Sequence, residues 1–324
     1  MMRRSYYYGG VILILLGIAF VIPFRMNRYV VRVLTSIFMF AGLSESWDII
    51  TGKTGYFSFG HGVFFGLGAY AAAIVMLKLQ MPFGVGFIAG GIISALFAFL
   101  IGLPILRLKG HYFAIITLGI AEVMKGLALN LESLTGGGVG LTPPIKSGTI
   151  DEIYSFFYFL MFFLMVAAIV TSYLVDRSRF GYGLVAIRED ETSAKVLGVN
   201  TTLYKILAYA LSAVFCGFIG ATYAYWITYI EPSDVFGLKF SISIIVMALI
   251  GGIGTVWGPI IGAFIFEIFS ELFWSKFLTF HNASLGILMI LIIFLLPKGF
   301  MEMIYSKRAL SISGIIENLK KYKE

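Results

Sequence analysis

Along the chain, long apolar runs are separated by short polar connectors, and no stretch alternates apolar and polar residues with the period of two expected of a half-buried strand. Ten runs read as helices crossing a lipid bilayer: 8–24, 31–50, 62–79, 83–106, 112–131, 153–175, 204–225, 239–251, 258–275 and 283–297. The eighth and the last two are short, near the usual minimum of about 17 residues, which suits tilted, broken or re-entrant segments. The pattern predicts an all-α, polytopic transmembrane helical bundle of about ten spans. A β-barrel is excluded by the missing alternation. No low-complexity linker interrupts the runs, so residues 1–324 read as a single membrane domain. The largest connector, 132–152, is turn-rich and too short to be a domain of its own.

One stretch breaks the pattern. Residues 176–205 open with Asp176-Arg-Ser-Arg-Phe-Gly-Tyr-Gly-Leu-Val-Ala-Ile-Arg-Glu-Asp-Glu, a charged island between two full spans. Within it Leu184, Ile187, Ala194 and Leu197 recur at helical spacing, while Arg188, Glu189, Asp190 and Lys195 take other faces. Gly198 and Asn200 then supply a helix stop. The spacing predicts one short amphipathic helix. It fits two uses equally: resting on lipid headgroups, or lying against a soluble partner with Arg177 and Arg179 as polar anchors.

Composition sharpens the membrane reading. The 324 residues are 59% hydrophobic and 13% charged, with mean hydropathy +0.94, against about 25% charged in soluble domains. The net charge of +7 would suggest nucleic acid in a soluble chain. Here the basic residues cluster in short connectors and at the C-terminus, where they orient a membrane protein instead. With both termini in the cytoplasm, 16 of the 24 Lys and Arg residues face that side, including the island and the tail 298–324. The cluster Arg25, Arg28 and Arg32 is left outside and fits that topology poorly. It also replaces the small-residue cleavage site of a signal peptide, so the first run reads as a span. The lone Cys216 can form neither an internal disulfide nor a thiolate metal site.

Candidate chemistry is sparse. Gly52-Lys53-Thr54 has the tail of a phosphate loop, but the position of its first glycine is Trp47 and no strand precedes it. ATP binding by this chain is therefore not expected, and no cofactor is implied. Three widely spaced histidines, without a His-x-x-x-His pair, argue against a metal-dependent membrane enzyme. His111 and His281 read as interfacial. Ionisable residues inside spans are costly and mark functional candidates: Glu45 with Asp48, and Glu122 with Lys125, each three apart on one helical face. The glycines around Gly60-His61-Gly62, Gly66 and Gly68, and those of Gly251-Gly252-x-Gly254 with Gly258-Pro259, allow either close helix contact or a broken helix lining a conduit. His61 suits a structural donor or a pH-sensitive group. Trp226, Tyr229, Trp257 and Trp274 lie near span ends and read as belt anchors.

Several segments carry a family resemblance. Phe180-Gly-x-x-Leu-x-Ala-Ile-Arg-Glu-Asp-Glu-x-x-Ala-x-x-Leu-Gly-Val-Asn200 resembles the cytoplasmic signature of ABC importer permeases of the branched-chain amino acid class, LivM-type. Gly55-Tyr-Phe-Ser-Phe-Gly-His61 with Phe64-Phe-Gly-x-Gly-Ala-Tyr70, Arg107 to Leu118, Glu122, Ser133 to Gly137 and Gly251 to Pro259 agree in order and spacing, covering most of Gly42 to Gly299. The resemblance implies a second homologous permease subunit, two cytosolic ABC ATPase subunits and an extracytoplasmic substrate-binding protein, in the plasma membrane. It implies that ATP is hydrolysed by those partners, and that the island docks on an ATPase through Arg177, Arg179, Phe180, Gly181, Leu184, Ala186, Ile187, Arg188, Glu189, Asp190, Glu191, Ala194, Leu197, Gly198 and Asn200. Gly55, Ser58, Gly60, His61, Glu122, Lys125, Gly251, Gly252 and Gly254 are the candidate pathway or gate residues. The alternatives are an importer of urea or short amides in the same superfamily, and, from other classes, an ion-gradient-driven transporter or a polytopic membrane enzyme.

Overall fold

The computed structural model describes residues 20–276, 286 and 299–301. Residues 20–25 are helical. Twelve α-helices follow: α1 (Arg28–Thr54), α2 (His61–Lys78), α3 (Phe83–Ile105), α4 (His111–Asn130), α5 (Glu132–Thr135), α6 (Ile150–Asp176), α7 (Arg179–Glu189), α8 (Glu191–Val196), α9 (Thr201–Ile227), α10 (Pro232–Val235), α11 (Leu238–Gly251) and α12 (Gly258–Lys276). Among the described residues seven helical segments are long and apolar enough to cross a membrane: α1, α2, α3, α4, α6, α9 and the stretch Pro232–Gly251 that joins α10 to α11. The chain is thus a multi-pass membrane protein. Of the ten expected spans, the second to seventh correspond to observed helices. The eighth gains length from the proline-started turn of α10, and the ninth is α12. Most of the first run, the tenth run and the tail 298–324 fall outside the described residues, as do His281 and the side chain of Trp274.

Helix ends are set by local chemistry. Asn27 caps α1 by accepting the Tyr29 N–H at 3.2 Å. Gly55 ends the helix in the left-handed region, φ +74°, which a glycine adopts without strain. Thr149 and Glu152 form a reciprocal capping box at the start of α6.

Three of the spans meet through bare backbone. A Cβ on Gly68 of α2 would lie 2.1 Å from the Gly217 carbonyl oxygen of α9, and one on Gly217 would lie 2.5 Å from that of Gly90 on α3. Between apolar helices in lipid no hydrophobic force drives association, so such close approach and the dispersion contacts it permits hold the helices together. Trp47, Phe64, Phe65, Tyr158 and Tyr209 are among the largest side chains of the core and are almost wholly buried.

The helices alternate in direction, which gives the bundle two ends. One gathers residues 55–60, 106–110, 177–200 and 252–257, joined by bonds such as Arg188 to Gly52 and Lys205 to Leu106. The other gathers 79–82, 131–149 and 228–237, joined by the Leu141–Ile230 backbone pair and by Lys78, which donates to the Ser133 carbonyl. There Arg28 pairs with Asp151 at 2.7 Å and Arg32 with Glu271 at 3.2 Å. Two members of the basic cluster that sits badly with the charge-based topology therefore have acidic partners.

Candidate functional site

The charged segment is built as two helices set at an angle, not as the single helix its periodicity predicts. Ser178 starts α7 by accepting the Gly181 N–H at 3.0 Å, and Gly181 is required there because a Cβ would fall 2.0 Å from the Val175 carbonyl oxygen. Gly183 leaves room for the Tyr204 ring, whose Cε1 a Cβ there would approach to 2.3 Å. Asp190 then leaves helical geometry, at φ −158° and ψ 113°, and its carboxylate accepts the Ser193 N–H at 2.5 Å to cap α8. A short acidic side chain that can satisfy an orphan N–H competes with helix continuation, which is why the break falls at this residue. Hydrogen bonds from the Ser193 side chain and then from its backbone N–H hold the Asp190 carboxyl below the usual carboxylate range.

Leu184, Ile187 and Ala194 face inward and are buried as expected, whereas Leu197 does not join them. The helix ends at Val196, so Leu197 leaves the inward face and is 80% exposed, beside Val196 at 85%; Tyr182 on α7 is 67% exposed. The outer surface of the segment thus offers apolar groups next to the charges of Arg179, Arg188 and Glu189, while Arg177 packs over the Tyr173 ring.

Beneath the segment lie two polar frames. The first is centred on Glu191, which is buried. Tyr56 donates to it at 2.7 Å, Thr201 at 3.2 Å and Lys205 at 3.0 Å, and Lys195 and Lys109 complete its ion pairs at 3.2 and 3.5 Å. Lys205 also donates to the Leu106 carbonyl at 2.7 Å and to the Tyr56 hydroxyl at 2.8 Å. Burial alone would raise the Glu191 carboxyl, but the hydrogen bonds from Tyr56 and Lys205 outweigh it and bring the group down to about 2. Burial and the neighbouring Glu191 push the Tyr56 phenol above its ordinary value. This frame ties α8 to the α1–α2 connector, the end of α3 and the start of α9.

The second frame joins α7 to the glycine-rich break between α11 and α12. Arg188 donates to the Gly52 carbonyl at 2.9 Å. Lys53, almost fully buried, pairs with Asp176 at 2.6 Å and reaches the Gly254 carbonyl at 3.5 Å. The Gly254 N–H in turn donates to Asp48 at 2.8 Å. Gly252 and Gly254 both have positive φ, and a Cβ on Gly251 would overlap the Gly258 carbonyl oxygen. The break is therefore a tight backbone turn anchored on α1.

The remaining candidates separate. Gly55, Ser58, Gly60 and His61 form an ordered connector: Trp47 donates to the Ser58 carbonyl at 2.8 Å, and His61 is wholly buried between the Ser58 and Ser212 hydroxyls, each at 3.2 Å. Glu122 and Lys125 pair at 2.6 Å on α4, a helix with only 22% of its span buried, and take no part in either polar frame. Glu45 is fully buried with neither carboxylate oxygen hydrogen-bonded among the described residues. The sequence reading overlooked Tyr56, Lys53, Asp176 and Lys205 as functional residues. Lys205 gave a usable signal, a lone lysine one turn inside an apolar helix.

Comparison with known proteins places this arrangement. The profile of the family described as "Branched-chain amino acid transport system / permease component" matches residues 29–296. The chain belongs to this permease family. The permease is 29% identical over 315 residues to the high-affinity branched-chain amino acid transport system permease protein LivM of Salmonella typhimurium, covering 89% of this chain and 74% of that one. It is 28% identical over 319 residues to LivM of Escherichia coli, covering 90% and 74%. The autoinducer 2 import system permease protein LsrC of Yersinia pseudotuberculosis is 28% identical over 225 residues, covering 61% of the permease and 63% of LsrC. No solved structure matches it. Both polar frames and both helices of the charged segment lie within the family match.

Proposed function

We propose that this permease is the membrane-spanning subunit of an ATP-driven importer of branched-chain or related hydrophobic amino acids. The observation that carries the reading is the mounting of α7 and α8. Their inner faces are locked by Glu191 and Arg188 to the ends of α1, α3 and α9, and their outer face leaves Tyr182, Val196 and Leu197 open. A soluble subunit that pushed on this face would move three spans through bonds short enough to transmit force. In this reading the face is cytoplasmic and both termini lie on that side. Two ATPase subunits bind and hydrolyse ATP, a homologous permease completes the pathway, and an extracytoplasmic binding protein delivers the amino acid. The two LivM relatives, named for branched-chain amino acid transport, support the substrate class.

The test is the assembled complex in lipid vesicles, scored for ATP hydrolysis stimulated by the loaded binding protein and for amino acid uptake. Replacing both Arg188 and Glu189 by alanine is expected to abolish uptake and to cut stimulated hydrolysis at least tenfold, with the complex still assembled. Unchanged coupling would remove the segment from the mechanism.

A further inference from the structure

At the end of the bundle remote from α7 and α8 lies a cavity of about 810 Å³, a volume within the range of small-molecule sites. It opens between the first turns of α1, the end of α9, α10, the start of α11 and the middle of α12. Its wall is unusual for a bilayer protein, because it carries both signs of charge beside an apolar surface. Lys239, Asp234 and Glu267 all line it, and among the described residues none of the three makes an ion pair. Glu267 sits in the field of Glu271, Arg32 and Lys239, without an ion pair to either cation. Arg32 also lines the cavity and is held by Glu271 at 3.2 Å. The apolar side is formed by Met39 and by Phe40 and Phe240, whose rings stack at 5.9 Å.

Glu267 is half-buried, while Lys239 and Asp234 are exposed, and charges left without ion-pair partners around a cavity are free to meet a ligand that brings the complementary charges. Separate cationic and anionic groups around an apolar wall complement a small molecule that is itself zwitterionic and carries an apolar side chain. We infer that this cavity is an intrasubunit binding site for a free α-amino acid, with Lys239 and Arg32 receiving the carboxylate, Glu267 and Asp234 the ammonium group, and the Phe40–Phe240 wall the side chain. The assignment of the zwitterion to an amino acid rests on the transport reading above. A site of this kind would hold the solute within one subunit after its delivery, before the shared pathway opens.

Binding is measured on the assembled complex in nanodiscs, without binding protein, using labelled L-leucine. Isoamylamine, which lacks the carboxylate, and 4-methylpentanoate, which lacks the amine, serve as competitors. Leucine is expected to bind saturably, with each half-analogue at least tenfold weaker. Lys239→Met should weaken leucine at least tenfold and leave isoamylamine unchanged, whereas Lys239→Arg should retain leucine. Glu267→Gln should weaken leucine and isoamylamine and spare 4-methylpentanoate. Saturable binding untouched by Lys239→Met and Glu267→Gln, or no binding in a complex that still imports leucine with ATP, would overturn the site and leave the transport reading intact. A folded, assembled complex that hydrolyses ATP but imports no hydrophobic amino acid would instead overturn the transport reading and, with it, the amino acid assigned to this cavity.

Discussion

The two ends of the bundle treat charge in opposite ways. Around α7 and α8, Glu191, Lys205, Lys53 and Asp176 are drawn into close ion pairs, and the first three of them are nearly or fully buried. At the far cavity, Lys239, Asp234 and Glu267 are left without ion-pair partners among the described residues and face open space. A buried charge with full partners is a fastener, because breaking it strands the other member in low dielectric. A charge at a cavity wall with no partner adds little to stability and is available to a ligand. In the proposed reading, the contrast separates residues that hold the permease together from residues that meet its solute.

The contrast can be broken most sharply at Glu191. Glu191→Ala leaves the Lys205 ammonium buried without its carboxylate and is expected to cost about 3 kcal/mol or more, read as a lowered unfolding midpoint of the purified permease. A loss below about 1 kcal/mol would mean that Tyr56 and the Leu106 carbonyl suffice for Lys205. Arg188→Ala removes one charge-assisted bond from a partly exposed side chain, and the expected loss is about 1 kcal/mol.

The pH dependence sharpens the same point. The Glu191 carboxyl is lower in the folded protein, at about 2, than its ordinary value of 4.5. Its contribution is therefore complete above pH 4.5 and is lost as the pH falls toward 2. Melting curves of the wild type should drop across that window, and those of Glu191→Gln should drop less. The smallest effect belongs to the cavity: Lys239→Met should change stability by no more than about 0.5 kcal/mol, although it should impair leucine binding strongly. A large destabilisation would make Lys239 a fastener like Lys205.

Much of the fold was legible because a helix that must cross lipid leaves an apolar run of its own length, and six observed spans fall on such runs. The charged segment was legible by contrast with those runs. Its break at Asp190 was not, since the apolar period continues through Ala194 while the decision rests on one side chain capping Ser193. The frames were hidden for a different reason. Tyr56 and Glu191 are 135 residues apart and Asp48 and Gly254 are 206 apart, so no local pattern announces their meeting. The cavity was the least legible, because Arg32, Asp234, Lys239 and Glu267 are scattered over four helices and no local pattern unites them.

One helix belongs to both ends. On α1, Gly52 accepts from Arg188, and twenty residues earlier Arg32 lines the cavity, a separation of about 30 Å along the axis. A stiff rod of that length is a lever: a tilt of about 5° about its inner end sweeps the outer end through roughly 2.6 Å, on the same rise per residue. That travel is enough to open or close a hydrogen bond. In the proposed reading, the 27 uninterrupted residues of α1, with no proline in their interior, would carry a tilt imposed through α7 to the cavity as a displacement of the outer end. Spin-label distances between α1 and α12 at the far end, taken with and without nucleotide, would measure that displacement directly.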